Sequence, residues 1–238
     1  MKDFLYKNYT LLNDSVIIMA AIAAIISYKK FKNTNVKYFI YFLIYVALVD
    51  FLGGYKSFFS EYDTLKRFKE IIKGTFFDNN YWWFTLFWNI GSALFFSYYY
   101  YKLIVNHRFK SIIKVTCSLF LLMSFGLIII DINRFSNAFI NPINIFGAVL
   151  ILMSISFYFI EILKSDKILG IVKSINFIIS VAIFVWWLVV TPLIFYDIYF
   201  SSSDLEFVRL RRMVYLLSNI FMYTTFAIGL IVLKPEYD

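Results

Sequence analysis

The stretch KYFIYFLIYVALVDFLGGY, Lys37 to Tyr55, decides the fold class. Between Lys37 and the glycine pair it holds one charged residue, Asp50. A helix that spans a bilayer needs ~20 mainly apolar residues, and this run supplies them. Apolar and polar residues do not alternate along it, as they would in a strand of a membrane barrel. Runs of similar length recur along the chain. The seven lie at about 9–28, 38–58, 81–103, 113–131, 142–163, 174–197 and 213–233. The expectation is an all-α polytopic membrane protein, with one seven-helix transmembrane domain over residues 1–238.

Composition agrees. Of 238 residues, 61% are hydrophobic and 16% charged, against roughly 25% charged in a soluble domain. The mean hydropathy is +0.74. The net charge of +8 would suggest nucleic acid as the partner of a soluble chain. Here the basic residues crowd into short connectors, so the expected partner is the lipid bilayer and no nucleic acid.

Those connectors set an orientation. Lys29, Lys30, Lys32 and Lys37 follow the first run; Lys102, Arg108, Lys110 and Lys114 the third; Lys164, Lys167 and Lys173 the fifth; Lys234 the last. This places the amino terminus outside and the carboxyl terminus in the cytoplasm, in a multi-pass protein of the cell membrane, as in a bacterial inner membrane. The first run is preceded by Lys2 and Lys7 and contains Ala21-Ile22-Ala23, which resembles a signal-peptide cleavage site. Asn13 and Asp14 interrupt its apolar core, so a retained span is expected. The outer connector 61–77 carries Leu65, Phe68, Ile72 and Phe76 on one stripe, the pattern of an amphipathic surface helix.

Two short matches make an internal repeat a candidate reading. Phe42–Ala47 reads FLIYVA and Phe177–Ala182 reads FIISVA; Asn89-Ile90 in run three matches Asn219-Ile220 in run seven. Both pairs join helices that point the same way, which gives a 3+1+3 plan with run four as the linker.

Several chemistries are disfavoured. The single Cys117 allows no disulfide within the chain and no thiol metal site. His107 is the only histidine, against the several that a zinc hydrolase uses. No Ser–His or Cys–His pair is available for acyl transfer, and run seven has no lysine for a retinal Schiff base. No enzymatic activity, cofactor or metal is expected; the remaining enzymatic alternative is a carboxylate-only one through Asp14, Asp50 and Asp131.

Polar residues inside spans are costly and face the bundle interior or water. Asp50 lies ~18 Å from the cytoplasmic edge at 1.5 Å per residue, near the midplane, with no lysine or arginine at its depth. That favours a neutral carboxyl, or a cation or proton site with Asp14. Asp14, Asn89 and Asn219 sit a turn or two below the outer edge. Thr191-Pro192 is expected to break run six, and Trp88, Trp186, Trp187 and Tyr196 lie in the same outer half. The candidate ligand-binding residues are therefore Asp50, Asn89, Asn219, Trp88, Trp186, Trp187, Thr191 and Tyr196, around an outward aromatic crevice. The ion or proton candidates are Asp50 and Asp14. The alternative is interfacial tryptophan anchors with interhelical amide bonds.

The seven-run plan, outer amino terminus and paired Asn89 and Asn219 resemble the small sugar transporters called SWEETs and the related PQ-loop proteins. The resemblance implies a site for a small solute lined by Asn89 and Asn219. The Pro-Gln signature and the proline tetrad of those families are absent; Pro192 alone lies well inside a run and Pro142 starts another. The stretches KYFIYFLIYVALVDFLGGY, EILKSDKIL and TPLIFY resemble uncharacterised seven-helix membrane proteins of Bacteroidota, which implies no activity. The resulting expectation is a sensor or ligand-binding module acting on a small-molecule ligand through a signalling or membrane partner. The alternatives are a small-solute or proton-coupled transporter, and a structural or assembly subunit.

Overall fold

Inside a bilayer every backbone polar group must be satisfied within the protein, and long apolar runs do this as helices. The computed structural model describes residues 2–61, 65–196 and 204–235. Among them the regular structure is helical throughout: α1 (Lys2–Lys7), α2 (Tyr9–Phe31), α3 (Val36–Gly53), α4 (Tyr55–Glu61), α5 (Lys66–Ile72) and α6 (Tyr81–Trp83). After α6 the chain passes directly into π-helical turns at Phe84–Ile90, then α7 (Gly91–Leu103). Next come α8 (His107–Ile130), α9 (Ile132–Asn137), α10 (Asn141–Leu163), a 3₁₀ segment at Asp166–Lys173, α11 (Ile175–Tyr196) and α12 (Leu205–Val232).

Six of these stretches are long and apolar enough to cross a membrane: Tyr9–Phe31, Val36–Phe59, His107–Ile130, Asn141–Leu163, Ile175–Tyr196 and Leu205–Val232. The chain is therefore a polytopic helical membrane protein. The expected third run, 81–103, is helical from end to end but is not one α-helix. Its π turns free a backbone carbonyl. The Tyr45 hydroxyl donates to that of Phe87 at 2.6 Å. Gly91 makes room for this, since a Cβ there would lie 2.8 Å from the Tyr45 oxygen.

Three further boundaries differ from the apolar count. The last helix begins at Leu205, well before residue 213, because Asp204 caps it by accepting from the Phe207 N–H at 3.0 Å. The fourth begins at His107, where the Asn106 side chain accepts from the Arg108 N–H at 2.9 Å. Pro192 does not break α11, which continues to Tyr196; the Thr191 hydroxyl donates to the Trp187 carbonyl one turn back at 2.5 Å. The expected amphipathic connector 61–77 is helical over Lys66–Ile72 and then turns at Gly74, whose φ of +73° suits glycine. Its residues 62–64 lie outside the described residues.

Around the bundle, α2 lies between α3 and α12, α12 packs on α11, α11 on α10, and α10 on α7. The π turns and α7 close the ring against α3. α8 stands outside, against α7 and α10. Only 22% of its most apolar stretch is buried, against 39–44% in the other five spans. Helices in lipid associate through close packing, since lipid is as apolar as leucine. Small residues allow this on α2, where Ala20, Ala21, Ala23 and Ala24 are all buried.

The two ends of the bundle are closed differently. Where α2 ends, Ser27 donates to the Leu230 carbonyl and Lys30 Nζ to those of Leu230 and Ile231, at 3.0–3.1 Å. These bonds satisfy orphan carbonyls at the end of α12. On that same face Glu161 accepts from the Val105 and Asn106 N–H groups at 2.7 and 2.9 Å. The opposite face, where α2 and α12 start, carries the crevice described next; it is called the N-terminal face below.

Candidate functional site

Residues four apart on a helix share a face. On α2 that face presents Tyr9, Asn13 and Ile17; on α12 it presents Tyr215, Asn219 and Tyr223. With Val46, Val49 and Asp50 of α3, Phe84 and Trp88 of the π turns, and Trp186 of α11, they line a crevice of about 180 Å³. By helix rise the two stripes are ~12 Å long. The volume matches about six waters at ~30 Å³ each.

A chain of hydrogen bonds runs round the wall. Trp186 Nε1 donates to Asn219 Oδ1 at 2.6 Å. Asn219 Nδ2 donates to Asn13 Oδ1 at 2.8 Å. Asn13 Nδ2 donates to Asp14 Oδ1 at 3.4 Å, and the Asp14 side chain is hydrogen-bonded to Asp50. The chain ties α11, α12, α2 and α3 together. Asp14 and Asp50 thus meet where α2 packs on α3. Of the pair, Asp50 lines the hollow.

The glycines after Asp50 have separate roles. A Cβ on Gly53 would meet Phe84 Cζ at 2.6 Å and Trp83 Cδ1 at 2.9 Å. Gly53 thus lets the ring of Phe84 reach the crevice wall. The end of α3 is held by the facing turns: Trp83 Nε1 donates to the Val49 carbonyl at 2.9 Å and Asn80 Nδ2 to that of Gly53 at 2.8 Å. Gly54 has an ordinary φ of −72°.

Beneath the crevice the space shrinks to about 20 Å³, between Trp88, Trp186, Trp187, Tyr223, Phe42, Phe96 and Phe226, among others. That leaves room for about one water. Phe42 stacks on Phe95 with centroids 4.1 Å apart and meets Phe96 edge-on at 4.9 Å. Phe39 meets Phe226 edge-on at 4.8 Å. Below this layer Tyr99 donates to Asn176 at 2.7 Å and Tyr100 bonds Ser180 at 2.9 Å.

At the rim, the Arg212 guanidinium lies 5.2 Å from the centre of the Tyr6 ring and 5.9 Å from that of Tyr9. Arg209 lies over Tyr6 at 5.5 Å. Each is a cation–π distance.

Of the residues singled out in the sequence, Asp50, Asn219, Trp88 and Trp186 line the crevice, and Asp14 neighbours Asp50. Trp187 belongs to the layer beneath, its ring 4.9 Å from Trp186 and nearly perpendicular. Asn89 does not line the crevice with Asn219. Its carbonyl lies against Gly147 of α10, and its buried Nδ2 has no hydrogen-bond partner. Thr191 is turned to its own backbone, and Tyr196 lies exposed at the end of α11. Tyr9, Asn13, Tyr215 and Tyr223 were missed. Their signal is the shared Tyr-x₃-Asn spacing of Tyr9–Asn13 and Tyr215–Asn219 in the first and last runs.

A larger hollow, about 320 Å³, lies between α3 and α7, walled by Tyr38, Tyr41, Phe42, Tyr45, Gly91, Phe95 and Tyr98. It has no carboxyl or amide side chain, and Tyr41 and Tyr98 are exposed on the outside of the bundle. Comparison with protein-family models, with curated proteins and with solved structures gives no match.

Proposed function

We propose that the protein is a membrane-embedded sensor that holds a small ligand in the crevice at its N-terminal face and signals through a partner protein in the membrane. In this reading residues 81–103 form a seventh crossing, the N-terminal face lies outside, and the lysine-rich face lies in the cytoplasm of a bacterial inner membrane. One observation carries it: five helical segments converge on one hollow, with the hydrogen-bonded chain from Trp186 to Asp50 in its wall and an aromatic layer closing it below. A polar-lined, aromatic-walled concavity is the usual form of a small-ligand site. The connectors on the lysine-rich face are short, which leaves output to a partner.

The second reading, a small-solute transporter, has its own support. The ring runs in chain order with α8 outside it, so a half-turn about the bundle axis would exchange its two sets of three helices. That arrangement suits a parallel repeat.

A thermal-shift screen of small polar solutes on the full chain in detergent tests ligand binding, because a ligand of the native state raises its stability. The expected result is at least one saturable shift that Asp50→Asn abolishes. A screen with no such solute overturns the reading. A hit then enters a flux assay in reconstituted vesicles: no flux supports the sensor, and flux transfers the protein to the second reading.

A further inference from the structure

The crevice is polarised along its length. Asp50 lines the hollow, and the Asp14 carboxyl is its neighbour on α2. Tyr9 forms part of the wall and carries the Arg212 guanidinium on its ring at the rim. Acid therefore lies within and base at the entrance. Tyr215, Tyr223, Trp88 and Trp186 line the same hollow, and an aromatic ring face attracts a cation. A ligand with only a positive charge would pass a cationic rim; one with only a negative charge would end against two acids. Either leaves a net charge in a wall of rings, where desolvating it is costly.

Resting on the reading of this crevice as a ligand site, we propose that its ligand is a small zwitterion, an amino acid in the chemical sense. Its ammonium group donates to Asp50, with neighbouring Asp14 supplying a second acid. Its carboxylate accepts from the Arg212 guanidinium, whose planar fork matches a carboxylate. The volume of about 180 Å³, near that of six waters, limits it to a short skeleton. The Asn13 and Asn219 amides are bonded to one another, so they hold the wall and leave the charged ends to select the ligand.

The test is a matched set of probes on the purified full chain, read by thermal shift and titration calorimetry: glycine, β-alanine and 4-aminobutanoate against propylamine, propionate and propan-1-ol. At least one zwitterion is expected to bind saturably and more tightly than all three controls. Asp50→Asn and Arg212→Gln are each expected to weaken it about tenfold or more, the effect of losing one charge-assisted hydrogen bond. Propylamine, propionate or propan-1-ol binding as tightly as the best zwitterion overturns the proposal, and this comparison needs no variant. An unchanged affinity in folded Arg212→Gln also overturns it. If no zwitterion binds but another solute in the screen binds through Asp50, the zwitterion falls and the ligand site stands. If no solute of any class binds, both fall.

Discussion

At the scale of single residues, the meaning of Asp50 lies in its partner. The apolar run around it showed an acid with no base at its depth, and the structure supplies another acid, Asp14 of α2. Which residue meets Asp50 depends on the rotation of two helices about their axes, and apolar runs do not encode that. The same limit explains Asn89, matched to Asn219 by spacing but absent from the crevice wall. The two asparagines therefore differ sharply on substitution. Asn219→Ala leaves Trp186 Nε1 and Asn13 Oδ1 without their partners and should lower stability by about 1–3 kcal/mol. Asn89→Ala removes a buried donor that has no acceptor, and should leave stability within ~0.5 kcal/mol or raise it. Thermal unfolding of both variants in one detergent makes the comparison, and equal losses would contradict the placement of the two residues.

At the scale of elements, run lengths located the spans, but ends and irregularities escaped them. The first turns of α12 carry Arg209, Arg211 and Arg212, so an apolar count starts the helix late; Asp204 is its legible cap. The π turns at Phe84–Ile90 leave no mark in hydropathy, because the residues are as apolar as those of an α-helix. Their support comes from elsewhere in the chain, from Tyr45 and Gly53. Tyr45→Phe removes the donor to the Phe87 carbonyl and should cost about 1 kcal/mol in an unfolding measurement. Gly53→Ala drives a methyl into Phe84 and Trp83 and should cost about 1–3 kcal/mol. Gly54→Ala meets nothing nearer than the Phe51 carbonyl at 3.3 Å, and should cost less than half of the Gly53→Ala loss in the same assay.

At the scale of the whole molecule, the helical, bilayer-spanning class was legible in composition together with the length of the apolar runs. The ring order was not, since it comes from contacts between helices far apart in sequence, above all α2 with α12. Buried Ala20, Ala21, Ala23 and Ala24 let α2 approach its neighbours closely. The seventh crossing has a direct check in a Cys117→Ser background. Asn79→Cys and Val105→Cys flank residues 81–103 and should react with an impermeant thiol reagent from opposite sides of the membrane; labelling from one side contradicts the crossing.

The central claim is that water and a small solute enter the crevice from the N-terminal face and stop at the aromatic layer. Val46 is the most direct probe, because it lines the crevice one turn from Asp50 and Val46→Cys changes little volume. In the Cys117→Ser background, sided vesicles are exposed to a small impermeant methanethiosulfonate. The predicted result is modification of Val46→Cys from the N-terminal face alone. A residue inert from that face, or labelled from the lysine-rich face, would contradict it.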